Sequence, residues 1–410
     1  MDSRCRRFMG PRGRRPGMVF LEFPGGQPAG KLVDNGMAAV KTFCLIAICV
    51  LLSLLVAFAV AEVAVRHFSP QEVGPVRFAC LPELGDIPVP GQQGERRLPG
   101  VFAFRYSNNS LGWRGRREYR ETKPTEYRVL FLGDSFTYGL GVDDDQTFAA
   151  QVEKDLRAGR LSVEVLNAGA PGKGTDYALK CFQTVGRKFH PDLTVLGFFC
   201  NDFQDNARGE YYNIGRRGEL QGKPLNCDRG AIKTLLDRLP AYNWLISWSQ
   251  AANLVKQAGV EALINRGRQS GPDATNGLVV SYDRGASGYA TAANKPLTRI
   301  YVEQLNAAVK RAGGELMMCY IPISQDVLEY RRTSTISPDE RAIQRLAADN
   351  GMMLWSLTPL LAHSGQSIER LYYKEGHWTA AAHAMAACNL SRLIQSGLER
   401  RRQLMHLSSQ

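Results

Sequence analysis

Short apolar runs that halt abruptly at glycine and polar residues constrain this chain more than any other feature. The first is Val129-Leu130-Phe131-Leu132, which stops at Gly133-Asp134-Ser135. Consecutive apolar residues without alternation suit a strand buried on both faces of a sheet. Val163-Glu164-Val165-Leu166 and residues 193–200 follow, ending in the loop 167–175 and at Asn201-Asp202. Helix-like spacing fills the intervals at 147–153 and from Asp176 to about Gly186. Strand, helix, strand, helix, strand predicts βαβ units with right-handed crossovers. The rhythm breaks over 203–300 and resumes with a helix at 296–312, a strand at 315–321 and a helix opened by the capping box Ser337-Pro338-Asp339-Glu340 and running to about Asn350. A short strand at 352–355 and an alanine-rich helix from Thr379 to about Gln395 close the chain. The expected fold is α/β, a three-layer αβα sandwich on a mainly parallel sheet.

Ahead of this domain, residues 42–61 read TFCLIAICVLLSLLVAFAVA, without a charge. As one helix this run spans a bilayer core. The segment 42–65 is therefore expected to be a transmembrane anchor. Residues 1–36 carry seven Lys and Arg against three acids, so the positive-inside rule leaves the arm 1–41 in the cytoplasm and sends the chain beyond Arg66 across the membrane. Ala59-Val60-Ala61 also matches a signal cleavage site, and initiation at Met37 would give an ordinary n-region; cleavage would release a soluble exported protein. The length of the apolar run favours the anchor.

Six prolines over 67–100 predict an irregular stalk, spanning 66–105, before a domain at 106–398 and a basic tail at 399–410. The stretch 203–300 reads as an insertion, a lid or partner surface: two glycine- and charge-rich stretches, 209–222 and 267–288, flank a helical middle at 232–264 whose Trp244 and Trp248 are expected in a core. The net charge of +12 is partly the arm and otherwise scattered, with no basic stripe interleaved with aromatics, which argues against nucleic acid. No Cys or His pair has zinc spacing, and neither metal nor cofactor is expected. Cys181, Cys200, Cys319 and Cys388 sit in apolar elements where a small buried hydrophobe is the default, whereas Cys80 and Cys227 lie in loop-like sequence. A disulfide between those two would suit an oxidising compartment, and the sequence leaves that pairing open. Asp143, Asp144 and Asp145 read as helix-capping acids rather than a calcium loop, and His383 as a helix-packing or solvent histidine rather than a second base. The sequon Asn108-Asn109-Ser110 is uninformative.

In a parallel sheet the carboxyl ends of the strands share one edge, so Ser135, the 167–175 loop, Asn201 and a C-terminal loop carrying His377 can converge. The chemistry they suit is acyl transfer. Ser135 would attack a carbonyl, His377 would take its proton and Glu375 would orient the imidazole. The oxyanion donors would be the Ser135 N–H, a glycine N–H of the second loop and the Asn201 amide.

Four blocks carry a resemblance to the SGNH (GDSL) hydrolases: Gly133-Asp134-Ser135, Asn167-Ala168-Gly169-Ala170-Pro171-Gly172, Asn201-Asp202 and Glu375-Gly376-His377. The resemblance covers roughly 108–395 apart from the insertion. It implies a flavodoxin-like sheet, Ser135 as nucleophile, His377 as base, Asn201 as amide donor and Gly172 as the oxyanion glycine, with Gly169 and Gly174 as competitors. Two positions depart from the family pattern. Phe199 stands where the third block has glycine, and Lys374 where the last block has its acid; Glu375, two residues before the histidine, resembles the D-x-H form of membrane-anchored relatives that handle acetylated polysaccharides. Together with the anchor, which places the domain outside the cytoplasm, the resemblance implies an O-acyl ester hydrolase, with O-acetyl the expected group, acting on an acylated small molecule or glycan. An O-acetyltransferase using the same residues and a non-catalytic envelope scaffold are the alternatives.

Overall fold

The computed structural model describes residues 29–216, 219–227, 231–267, 291 and 294–408. The arm 1–28, most of the glycine-rich stretch 267–288 and the last two residues of the basic tail lie outside them. Two compact units divide the chain, 1–61 and 62–410. The described part of the first is helix α1 (Ala29–Phe68) up to Ala61, and within α1 the stretch Val40–Phe68 is long and apolar enough to cross a membrane, with most of its apolar side chains exposed. Such a helix fits a membrane anchor or a signal sequence.

The second unit opens with two hairpins, β1 (Phe78–Leu81) with β2 (Gly85–Pro88) and β3 (Gln93–Leu98) with β4 (Phe102–Ser107). This corrects the irregular stalk expected here. The prolines fall at or outside strand ends, where a missing N–H costs no ladder bond, and alternation buries Phe102, Phe104 and Tyr106 with Val76, Tyr138 and Leu140.

The central sheet comprises β5 (Tyr127–Gly133), β6 (Val163–Asn167), β7 (Leu193–Phe199), β10 (Glu315–Ile321) and β11 (Met353–Ser356), in the order β11-β10-β7-β5-β6. All pairings are parallel. Residues of β6 and β7 are buried throughout and those of β5 and β10 almost so, because helices cover both faces. Helices α2 (Ser135–Tyr138), α3 (Phe148–Ala158), α4 (Thr175–Thr184) and α5 (Asp202–Ala207) follow the first three strands. The step from β5 to β6 runs opposite to the steps from β6 to β7, β10 and β11, so right-handed crossovers put α3 on one face and α4 on the other. The direction reverses between β5 and β7, and their carboxyl ends flank the switch point where open α/β sheets bind ligands.

The insertion holds the small hairpin β8 (Tyr212–Ile214) and β9 (Leu220–Gly222) and helices α6 (Ala231–Arg238), α7 (Pro240–Trp248) and α8 (Gln250–Gly267). Trp244 was expected in a core; it is 64% exposed, since α7 buries only Ile246. The sheet resumes around α9 (Lys295–Arg311), which packs on α4, with α10 (Ser324–Thr333), α11 (Pro338–Asp349), α12 (Thr358–Ala362), α13 (Ile368–Leu371) and α14 (Ala380–Ser408), the last packing on α3. Ser337 caps α11 as expected, accepting from the Glu340 N–H at 3.2 Å, but the Glu340 carboxylate turns inward to the hydroxyls of Ser356 and Thr358 and does not complete the box. Three further expectations are settled here. Cys80 and Cys227 form a disulfide with Cα atoms 5.4 Å apart, tying the first hairpin to the insertion. Cys388 is exposed on α14, one step outside the buried face formed by Ala386 and Ala387, while Cys181, Cys200 and Cys319 are buried. Thr147 caps α3 itself, and Asp143 caps the 3-10 turn Asp144–Gln146 ahead of it in a capping box with Gln146; Asp143 also accepts from the Arg105 N–H at 2.6 Å and Asp144 from Arg114 Nε at 2.5 Å, so both brace the hairpin side.

Candidate active site

Ser135 stands at the sheet edge because β5 ends in Gly133, whose φ is +149°. A Cβ there would lie 2.3 Å from Thr137 Oγ1 and 2.5 Å from the Gly197 carbonyl oxygen, so glycine alone lets the chain turn this tightly against β7. Asp134 then caps the short helix α2, accepting from the Phe136 N–H at 2.9 Å. The turn is held from below by Arg114, buried between the hairpins and the sheet. Its guanidinium donates to the carbonyls of Gly139 (3.3 Å) and Val142 (2.7 Å) and lies 4.7 Å over the Tyr138 ring. Asn167, at the end of β6, donates to the Thr137 carbonyl at 2.8 Å and accepts from the Gly169 N–H at 3.1 Å, which fastens the second loop to α2.

His377 arrives from a tight loop between the bridged residues Tyr372 and Trp378. The Tyr373 N–H donates to the His377 carbonyl (2.8 Å) and the Gly376 N–H to the Tyr373 carbonyl (2.9 Å), with Gly376 at φ +102°. The loop thereby brings Glu375 and His377 to one side. His377 Nε2 lies 2.8 Å from Ser135 Oγ, across 242 residues of sequence, and His377 Nδ1 lies 3.1 Å from Glu375 Oε1. All three side chains are largely withdrawn from solvent. The imidazole is stacked on Phe136 (centroids 4.9 Å apart, planes at 30°), and Phe136 in turn packs on Phe199 (4.3 Å, 35°). Phe199 occupies the position where the family pattern has glycine, and its ring is buried under Phe136.

The glycine candidates of the second loop separate by their surroundings. The Gly169 N–H is committed to Asn167, and Gly174 precedes α4 in close contact with Asn206 and Asp205. Gly172 is exposed at φ +71° with open space around the place of a Cβ. Asn201 is the N-cap of α5 at the end of β7, and its Nδ2 lies 3.2 Å from Asp205 Oδ2. Beside the histidine loop, a cleft of about 650 Å³ is bordered by Val101, Ile323, Gln325, Tyr373, Lys374 and Glu375.

A set of buried carboxyls underlies these residues. Burial pushes Asp134 up to about 7, with a smaller push from Asp205, and holds Asp202 well above the carboxylate range, the charges of Asp134 and Asp205 adding to it. Burial likewise raises Asp176 to about 7 and Asp205 to about 6. His383 behaves as the packing residue expected: its Nδ1 accepts from the Phe148 N–H at 3.2 Å, and burial lowers it to about 3, so it stays neutral. Among the described residues no group of His, Cys, Asp and Glu has the arrangement to hold a metal ion.

Arg114, Asn108 and Phe136 escape the sequence reading. Asn108 accepts from the Tyr138 hydroxyl at 2.8 Å, 30 residues away. Nothing local to an arginine in a turn-rich stretch marks it as a brace for a later loop. Phe136 carried a readable signal, since it follows the candidate nucleophile directly.

Comparison with solved structures finds similar folds. They include TesA (13% identity, 64% of this chain and 96% of that one, TM-score 0.35), the psychrotrophic esterase EstA from Pseudoalteromonas sp. (10%, 67% and 100%, 0.35) and Axe2, an acetylxylan esterase from Geobacillus stearothermophilus (11%, 65% and 94%, 0.37). At identities this low they carry nothing about substrate. No curated protein matches. A model of the GDSL-like lipase/acylhydrolase family matches residues 131–385, from within the strand that delivers Ser135 to beyond the loop that delivers His377. With more than half of its length inside that match, the chain belongs to the GDSL-like lipase/acylhydrolase (SGNH) family and is an ester hydrolase.

Proposed function

We propose that the protein is a serine-dependent O-acyl esterase that removes O-acetyl groups from a small molecule or glycan, held outside the cytoplasm by α1 as an uncleaved anchor. The observation that carries the mechanism is the chain of contacts from Ser135 Oγ to His377 Nε2 (2.8 Å) and from His377 Nδ1 to Glu375 Oε1 (3.1 Å). Ser135 Oγ bonds to the ester carbonyl carbon as its proton passes to Nε2, and Glu375 stabilises the imidazolium. The carbonyl electrons move to an oxyanion that accepts from the Ser135 and Gly172 N–H groups and the Asn201 amide. The imidazolium then protonates the leaving alcohol as the C–O bond breaks. Water, deprotonated by His377, attacks the acyl-enzyme, and Ser135 recovers its proton as acid is released. The Cys80–Cys227 disulfide supports the extracytoplasmic placement, because reducing compartments do not sustain such bonds. The test is hydrolysis of an activated acetyl ester by the Ser135→Ala protein: a folded variant with unchanged turnover removes Ser135 from the mechanism.

Acyl transfer is the second reading, since the same acyl-enzyme serves it and a cleft opens on the Glu375 and Lys374 side of the histidine loop. Acetyl moved to an added oligosaccharide faster than to water decides for transfer.

A further inference from the structure

Helix α1 leaves its uncharged run at Ala61, and the next residue, Glu62, is the first of the second unit. Twenty residues at 1.5 Å each span about 30 Å, the thickness of a bilayer core, so Glu62 falls at the level where the helix emerges. Its carboxylate caps α8. It accepts from the Ser249 hydroxyl at 2.8 Å and from the N–H groups of Gln250 and Ala251, both at 3.0 Å. One turn later Arg66 pairs with Glu62 at 2.7 Å and donates to the Trp248 carbonyl at 3.1 Å, and the Gln71 N–H donates to Gln250 Oε1 at 2.9 Å. The junction of α7 and α8 is thus latched to the residues that emerge from the apolar run.

What that latch holds in place is unusually apolar for a surface. Leu235 (60% exposed), Leu239 (43%) and Trp244 (64%) lie on α6, the α6–α7 junction and α7, and Trp244 packs edge-on against Trp248 with centroids 5.2 Å apart. Tryptophan concentrates at the headgroup level, where its ring is half in hydrocarbon and its N–H stays wet. Exposed Arg238 adds a cation able to meet lipid phosphate.

We propose that the α6–α7 segment of the insertion, with Trp244 as its principal anchor, rests in the headgroup interface of the same bilayer that α1 crosses. The occupant of this apolar surface is lipid, and the proposal rests on the reading of α1 as a membrane span.

Intrinsic tryptophan fluorescence tests it. The full chain is reconstituted in phosphatidylethanolamine and phosphatidylglycerol vesicles containing lipid brominated near the headgroup end of its acyl chains. Trp113, Trp355 and Trp378 are buried in the domain and supply an unquenched background. The wild-type chain should show a bromolipid-quenched component that the Trp244→Phe, Trp248→Phe double variant lacks, with hydrolysis of a soluble activated ester equal in both. Wild-type emission that is unquenched while the protein floats with the vesicles through an alkaline wash overturns the interfacial contact alone. Failure to float overturns the anchor, and the interfacial contact with it.

Discussion

The carboxyl edge of the sheet and the insertion beside it use apolar residues in opposite ways. At the edge, β5 and β7 are buried along nearly their whole length, and that burial places a few polar groups, Ser135, Asn201 and the glycines near them, within tight tolerances. In the insertion, α6 and α7 leave Leu235 and Trp244 in the open, and fixation comes from a few long-range ties: the Glu62 carboxylate, 187 residues before Ser249, with Arg66 and Gln71 beside it, and the Cys80–Cys227 disulfide. Chemistry needs the first kind of order. Placement on a surface needs only the second.

The contrast predicts that substitutions at the edge change turnover while those in the insertion change where or how durably the domain sits. Ser135→Ala makes the largest change expected, a fall in kcat on the order of 10⁶-fold, with the thermal transition kept, read in an activated-ester assay. Glu375→Gln should cost about 10⁴-fold, since a neutral amide neither holds the imidazole tautomer nor stabilises its cation. Asn201→Ala should cost roughly 10² to 10³ in kcat with KM little changed; a KM effect alone would move Asn201 from the oxyanion hole to ground-state binding. Cys80→Ser with Cys227→Ser should lower stability by roughly 4 kcal/mol, because the bridge closes a long loop, yet leave kcat within twofold, and a large loss of kcat would break the division between the regions. The smallest effect is on pH dependence. Folded Asp134 holds a proton up to about pH 7 that the unfolded chain has released from about pH 4 upward, so unfolding across that window releases protons and stability falls as pH rises. Asp134→Asn should make the decline in Tm between pH 5 and 7 shallower.

The same contrast explains what the sequence made legible. Apolar runs of fixed length and their polar stops are local signals, so the parallel sheet, the position of Ser135 and the loop of His377 can be read without coordinates. Pairings across long separations leave no local mark. Arg114 under the nucleophile turn, Glu62 at the start of α8 and the burial of Asp134 beside Asp202 all depend on how distant segments pack. The hairpins at 78–107 fall between these cases: proline and glycine punctuate them so densely that the alternation of Phe102, Phe104 and Tyr106 is overshadowed. Trp244 misleads for a different reason, since a large aromatic is most often buried and this one, packed edge-on against Trp248, faces outward.

The stack of Phe199, Phe136 and His377 bears on how steady the reaction geometry is. Ser135 and Phe136 are consecutive residues of one four-residue helix, and the imidazole stacks at 30° on the second while meeting the hydroxyl of the first. The base is thereby braced by the residue that follows the nucleophile, so a substitution that shrinks Phe136 should remove support from the imidazole and packing from Phe199 at once.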